Sequence, residues 1–180
     1  MTRCAVLLRG VNVGRANRIA MADFRSVLEE LGCRDVVTYL QSGNAVVEAP
    51  PDGLAQRVER ALRERLGLDV RVLVRTGNEL AAVVAANPFP ELVPEPKRLH
   101  VAFLEGQPDE AVVRGIGLRH GDDEFRVGDR VLYLAYAGGT QNSALEKPLR
   151  RLAGVSTDRN WTTVTRLASL AVPSQEGGPA

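Results

Sequence analysis

Val36-Val37-Thr38-Tyr39-Leu40-Gln41-Ser42-Gly43-Asn44-Ala45-Val46-Val47-Glu48 is the stretch on which the reading of the fold turns. Val36 to Leu40 is β-branched and aromatic, Ser42-Gly43-Asn44 is a turn signature, and Ala45 to Glu48 is again mostly apolar, so the segment predicts a β-hairpin. Before it, Met21, Phe24, Leu28 and Leu31 recur at helical spacing, with Gly32 as the stop. After it, Leu54, Val58, Leu62 and Leu66 share one face of a second helix, which Asp52 is placed to cap and Gly67 to end. Short apolar runs of strand length flank both helices, Thr2 to Arg9 on one side and Val70 to Val74 on the other. The resulting order, β-α-β-β-α-β, is the split arrangement of a ferredoxin-like half, in which two helices cover one face of a four-stranded antiparallel sheet.

Downstream, Thr76 and Glu79 form a capping box that starts a connecting helix over Leu80, Val83 and Val84, stopped by Asn87-Pro88. Residues 1–87 are therefore read as the ferredoxin-like half with its connecting helix. Four prolines mark 88–97 as the connector. Beyond it, Leu99, Val101 and Phe103 alternate on a strand, Pro108 to Leu118 is a weak helix, and Phe125 to Val127 and Val131 to Tyr136 flank a Gly128-Asp129 turn. This repeats β-α-β-β. A short helical piece around Leu145 and Leu149 follows, and Trp161, Val164, Leu167 and Ala171 carry the period of a last helix, which makes 98–172 a second half with a C-terminal helix. Residues 173–180 read as a flexible tail. The fold class is α+β: two related halves with mainly antiparallel sheets, not a solenoid.

Composition narrows the functional classes. The chain has 180 residues, 44% hydrophobic and 25% charged, as in an ordinary soluble protein. Lys+Arg 23 against Asp+Glu 22 leaves a net charge of +1, too little to hold a polyanion by bulk electrostatics. Two cysteines, Cys4 and Cys33, lie outside any CxxC, and two histidines, His100 and His120, complete no zinc-ligand spacing. No metal and no cofactor is expected, and both thiols should pack as small apolar groups. The Ala5 to Leu8 run is too short for a signal peptide and no stretch approaches a membrane span, so the expected compartment is the cytoplasm.

The unusual segment is Arg9-Gly10-Val11-Asn12-Val13-Gly14-Arg15-Ala16-Asn17-Arg18, with three arginines, two glycines and two asparagines between the first strand and the first helix. Glycines let backbone N–H groups converge, the helix start adds partial positive charge, and arginines add forked donors suited to phosphate or carboxylate. It is neither a Walker A loop nor a dinucleotide fingerprint. In the split arrangement the first and second strands run parallel and finish at one edge of the sheet, so Gln41-Ser42-Gly43-Asn44 should stand beside this loop. The competing reading is a surface loop and hairpin in which Asn and Gly serve turn geometry alone. A third polar cluster, Thr157-Asp158-Arg159-Asn160, is read as the cap of the last helix, with Trp161 as a core anchor. His100 is read as a core-edge strand residue and His120 as a solvated turn residue.

Leu7-Leu8-Arg9-Gly10-Val11-Asn12-Val13-Gly14, then Asn17, Met21, Tyr39-Leu40-Gln41-Ser42-Gly43-Asn44, and Thr157-Asp158-Arg159-Asn160-Trp161 with Thr163-Val164 resemble the bacterial family known as domain of unknown function 1697. The resemblance spans Thr2 to about Leu170. It implies a two-part α+β protein of ferredoxin-like halves and supplies no reaction. It marks Arg9, Gly10, Asn12, Gly14, Asn17, Gln41, Ser42, Gly43, Asn44, Arg159, Asn160 and Trp161. Arg15 stands where the family has glycine, and Ala16 and Arg18 where it has lysines.

The first functional expectation is a site for an anionic small molecule, a phosphorylated metabolite or nucleotide, built from these marked residues (Trp161 apart) with Arg18. All are donors or turn formers, and neither a histidine nor a carboxylate in these motifs is placed to activate Ser42, so no catalytic residue is assigned. The alternatives are a nucleic-acid module and a structural or interaction protein. The first is disfavoured because Thr2 to Arg9 and Asn44 to Glu48 lack the aromatic residues on which bases stack. The second would have Asn12, Gln41 and Asn160 bonded to backbone groups with no cleft left over. Neither a reaction nor an oligomeric state follows from the residues.

Overall fold

Seven elements follow one another from the N-terminus: β1 (Thr2–Leu8), α1 (Met21–Glu30), β2 (Arg34–Tyr39), β3 (Asn44–Ala49), α2 (Leu54–Leu66), β4 (Val72–Thr76) and α3 (Gly77–Ala85). They come from a computed structural model that describes residues 1–14, 17–141, 143–152, 154 and 156–172. The sheet order is β2-β3-β1-β4 with every pair antiparallel, the expected ferredoxin-like arrangement. Because side chains alternate along a strand, Cys4, Val6 and Leu8 of β1 share a face with Ala45 and Val47 of β3. That face packs on Phe24, Val27 and Leu28 of α1 and on Leu54, Val58 and Leu62 of α2. Each large side chain in this core contributes about 2 kcal/mol of transfer free energy. Ala5 and Leu7 on the opposite face are buried too, which is why β1 is continuously apolar instead of alternating.

Two details of this half differ from the sequence reading. The cap residue of α2 is Gly53, with no side-chain bond, so Asp52 does not cap it. The fourth strand starts at Val72 and runs on to Thr76, whose backbone N–H donates to Glu79 Oε2 at 2.7 Å while Glu79 N–H donates to Thr76 Oγ1 at 3.3 Å. That reciprocal pair is the capping box expected at the start of α3.

The second series is β5 (Leu99–Leu104), α4 (Glu110–Ile116), β6 (Arg119–His120), β7 (Asp123–Gly128), β8 (Val131–Ala135), α5 (Glu146–Leu152), β9 (Ser156–Asn160) and α6 (Trp161–Leu170). Its sheet order is β6-β7-β8-β5-β9. With the two-residue β6 set aside, the order β7-β8-β5-β9 matches β2-β3-β1-β4, so this half is also a full β-α-β-β-α-β unit. The sequence reading stopped one strand short. Thr157-Asp158-Arg159-Asn160, read as a helix cap that also offers Arg159 and Asn160 to a site, forms β9 and pairs antiparallel with β5. Its inward residues, Thr157 and Arg159, are both polar, so the alternation that identifies strands is missing. Asn160 still caps: Thr163 N–H donates to its Oδ1 at 2.9 Å. Trp161, Val164, Leu167 and Ala171 are buried along α6 as their spacing predicts.

The chain forms two compact units, Met1–Ala81 with the chain from Leu167 onward, and Ala82–Arg166. The end of α6 is held in the first unit by Arg3, whose Nη2 donates to Leu170 O at 2.8 Å. The later turns of α3 belong to the second, where Tyr133 Oη donates to Val83 O at 2.8 Å. The tail expected at 173–180 lies outside the described residues. Among those described, no helix is long and apolar enough to cross a membrane.

Candidate functional site

The exit of β1 fixes where the loop and the hairpin meet. Leu8 N–H donates to Gly43 O at 2.8 Å and Arg9 N–H to Arg71 O at 2.9 Å, so the turn between β2 and β3, the start of β4 and the loop from Arg9 share one edge of the first sheet. Asn12 ties them together. Its Nδ2 donates to Gln41 O at 2.6 Å and to Ile19 O at 2.9 Å, and its Oδ1 accepts from Ile19 N–H at 3.0 Å. Asn12 N–H also donates to Asn17 O at 3.1 Å, closing the loop on itself. Gly10, Asn12, Gly14 and Asn17 all have left-handed backbone, which only glycine and asparagine adopt at small cost.

The hairpin turn is built equally tightly. Asn44 is fully buried and its Nδ2 donates to Tyr39 O at 3.0 Å and Ser42 Oγ at 2.9 Å. Gly43 has φ +75°, and a Cβ there would fall 2.5 Å from Val11 Cγ2 and 2.8 Å from Leu8 Cβ. Asn12, Gly43 and Asn44 therefore hold the loops in shape, as the turn-geometry reading required of them.

Arg9, Asn17, Arg18, Gln41 and Ser42 remain exposed around that framework. Arg18 reaches back to Gly14 O at 3.3 Å, and neither it nor Arg9 has an ion-pair partner among the described residues. Asn12, Arg18 and Gln41, with Ile19 and Ala20, line a hollow of about 450 Å³. Ala20 is the cap residue of α1 and offers no side-chain acceptor, so the first N–H groups of that helix receive no side-chain cap. The only opposing charge in that turn is Asp23. Sequence reasoning missed Ile19 and Ala20 because their contribution is backbone and shape. Arg15 and Ala16, part of the expected loop, lie outside the described residues.

Arg159 and Asn160 belong to the second unit, where Arg159 Nη1 donates to Thr157 Oγ1 and Asp158 O, both at 2.7 Å. Burial lowers its pKa to about 10, against the opposing pull of Asp158. His120 is not a solvated turn residue: it lies in β6, stacked on Phe125 at 6.4 Å between centroids, with Nε2 3.1 Å from Gly117 O. No group of three His, Cys, Asp or Glu residues that could hold a metal is present among the described residues.

Among solved structures, a conserved bacterial protein of Streptococcus pneumoniae superposes with a TM-score of 0.74 at 22% identity, over 94% of this chain and 98% of that one. This likeness extends the two-half fold to a second protein. The RNA recognition domains 1 and 2 of Sex-lethal from Drosophila melanogaster align over 88% of this chain and 99% of that one at 14% identity, but with a TM-score of 0.21 they bear on nothing further. No curated protein matches the chain. The family model described as "Protein of unknown function (DUF1697)" matches residues 1–133, the stretch that holds the Arg9–Arg18 loop, the Gln41–Asn44 turn and most of the second sheet, and the chain belongs to that family.

Proposed function

We propose that the first unit binds the anionic group of a small molecule, a phosphate or carboxylate, in the hollow between the loop after β1 and the turn between β2 and β3. The observation that carries this reading is the placement of Arg18 beside the uncapped start of α1 on one cavity of about 450 Å³. Backbone N–H groups at a helix start and a forked guanidinium both favour an anion. Arg9 adds charge at the strand exit, and Gln41 adds an amide to the lining of the hollow. The left-handed backbone of Gly10, Asn12, Gly14 and Asn17 supports the reading, because it turns the loop tightly enough for backbone N–H groups to converge. Such a site binds and orients by electrostatics, and no reaction step is assigned to it.

The test is thermal denaturation of the full chain against inorganic phosphate, pyrophosphate and a nucleoside triphosphate, with chloride at matched ionic strength as control. A saturable rise in Tm is expected for at least one of the three. Losing one charge-assisted contact costs about 1.5–3 kcal/mol, so Arg18→Ala should weaken binding roughly tenfold to a hundredfold while leaving the ligand-free Tm unchanged. No saturable shift, or full binding by Arg18→Ala, overturns the reading.

A further inference from the structure

The second unit holds a larger cavity, about 820 Å³, that none of the loop motifs predicts. It lies between the chain entering β5, which brings Pro96, Lys97 and His100, and the Gly138-Gly139 loop after β8, with Asn160 at the end of β9. His100 and Asn160 face each other in the β5–β9 register. Asp158, one step back on the face that β9 turns outward, takes His100 Nδ1 at 2.7 Å. A carboxylate on Nδ1 takes the ring N–H on that side, and the neutral ring then presents Nε2 as an acceptor. Tyr136 packs edge-on against the same ring, with centroids 5.3 Å apart, and fixes its plane.

The rest of the lining carries the cations Lys97 and Arg98, the amide of Asn160 and one carboxylate, Glu95. Lys97 is exposed and has neither an ion pair nor a hydrogen bond among the described residues, whereas neighbouring Glu95 is neutralised by Arg98 Nη1 at 2.9 and 3.0 Å. Asn160 uses Oδ1 to cap α6, which leaves its Nδ2 as a donor at the cavity. The glycine loop is pinned at both ends by one buried carboxylate: Asp123 accepts from Ala137 N–H at 2.8 Å, Ser143 Oγ at 2.6 Å and Ala144 N–H at 3.1 Å. Gly139 has φ +89°, and no neighbouring atom lies within 4 Å of a Cβ built at Gly138, so the backbone there is open to a ligand.

A plain anion satisfies the lysine and the amide but meets Nε2 of the neutral His100 ring acceptor to acceptor. A molecule carrying both a negative group and a hydroxyl satisfies all three. We infer that this cavity is a binding site for a small hydroxyl-bearing anion, with Lys97 on the charge, Asn160 Nδ2 on an acceptor oxygen and His100 Nε2 accepting the hydroxyl proton in a hydrogen bond. The inference concerns a different unit from the hollow at the loop after β1 and stands or falls separately from it.

The chain has only two histidines, so the imidazole resonances of full-length protein labelled at histidine resolve both, with His120 as internal control. The probes are lactate and glycerol 3-phosphate, which distinguish carboxylate from phosphate, each against its counterpart without the hydroxyl, propionate and propyl phosphate. The expected result is a saturable His100 shift with at least one hydroxyl-bearing probe, no His120 shift, and affinity roughly tenfold weaker for the counterpart and for Lys97→Ala. Arg18→Ala should leave the His100 response intact. No saturable His100 shift, equal movement of both histidines, or undiminished affinity in Lys97→Ala overturns the inference.

Discussion

Cys4 lies on the core face of β1, and burial, helped by repulsion from Cys33 and Glu79 against a smaller pull from Arg3, pushes its thiol up to about 11. Burial raises Cys33 as well, against an opposing Arg57. The thiolate is the reactive form, so neither cysteine should react with a disulfide reagent at pH 8 until denaturant is added, and rapid labelling of the folded chain would contradict the burial. A raised folded pKa also favours the native state only while the unfolded thiol is protonated. The Cys4 contribution should be complete below pH 9 and lost as pH rises through about 11, a loss that Cys4→Ala should lack. Asp123 has the opposite sign. Burial alone would raise its pKa, but the bonds from Ser143, Ala137 and Ala144 bring it below the ordinary carboxylate value. Its stabilisation is present above the unfolded carboxylate pKa and lost as pH falls through the lower folded one. Asp123→Ala strands those donors and should cost about 2–3 kcal/mol in urea denaturation at pH 7.

Elements with a repeating apolar period were legible in the sequence, because one buried face imposes that period: α1, α2 and α6 are all found at the predicted places. The meeting of the loop after β1 with the hairpin turn was legible too, since strand direction alone fixes it. What could not be read was which donors are free. Asn12 and Asn44 look in sequence like Arg18 and Gln41, and only coordinates reveal that their amides bond to neighbouring backbone and side-chain groups. β9 escaped because its inward residues are polar, and with it went the pairing of His100 and Asp158, which exists only once β9 lies beside β5. The turn itself supplies a direct check. Gly43→Ala meets both a left-handed backbone and the side chains of Val11 and Leu8, so it should destabilise the chain by about 2 kcal/mol or more, whereas Gln41→Ala, at an exposed position of the same turn, should cost well under half of that.

Across the whole molecule the two halves repeat their devices at matching registers with different residues. Leu8 N–H donates to Gly43 O in the first sheet and Leu104 N–H to Arg130 O at 2.9 Å in the second. The amide that clamps the hairpin is Asn12 in one half and Gln107 in the other, where Nε2 donates to Gly128 O at 3.1 Å and Oε1 accepts from Arg130 N–H at 2.7 Å. Counting back along the central strands from Leu8 and Leu104, Cys4 and His100 occupy the same place, opposite Thr76 and Asn160. Each of those two ends its sheet and caps the helix that follows, yet the caps are not equal. α3 has Glu79 in its first turn, which keeps its bond to Thr76 N–H when the hydroxyl is removed; α6 has no acidic residue there. A lost cap typically costs about 1 kcal/mol, so Asn160→Ala should exceed that and Thr76→Ala fall below it. The bonds that make the two caps run to different residues, Glu79 and Thr163, and the double variant should lose the sum to within about 0.5 kcal/mol. Equal single costs would mean that Glu79 does not hold α3 alone, and a large departure from additivity in urea denaturation would mean that the duplicated caps are energetically coupled rather than two local solutions to the same helix end.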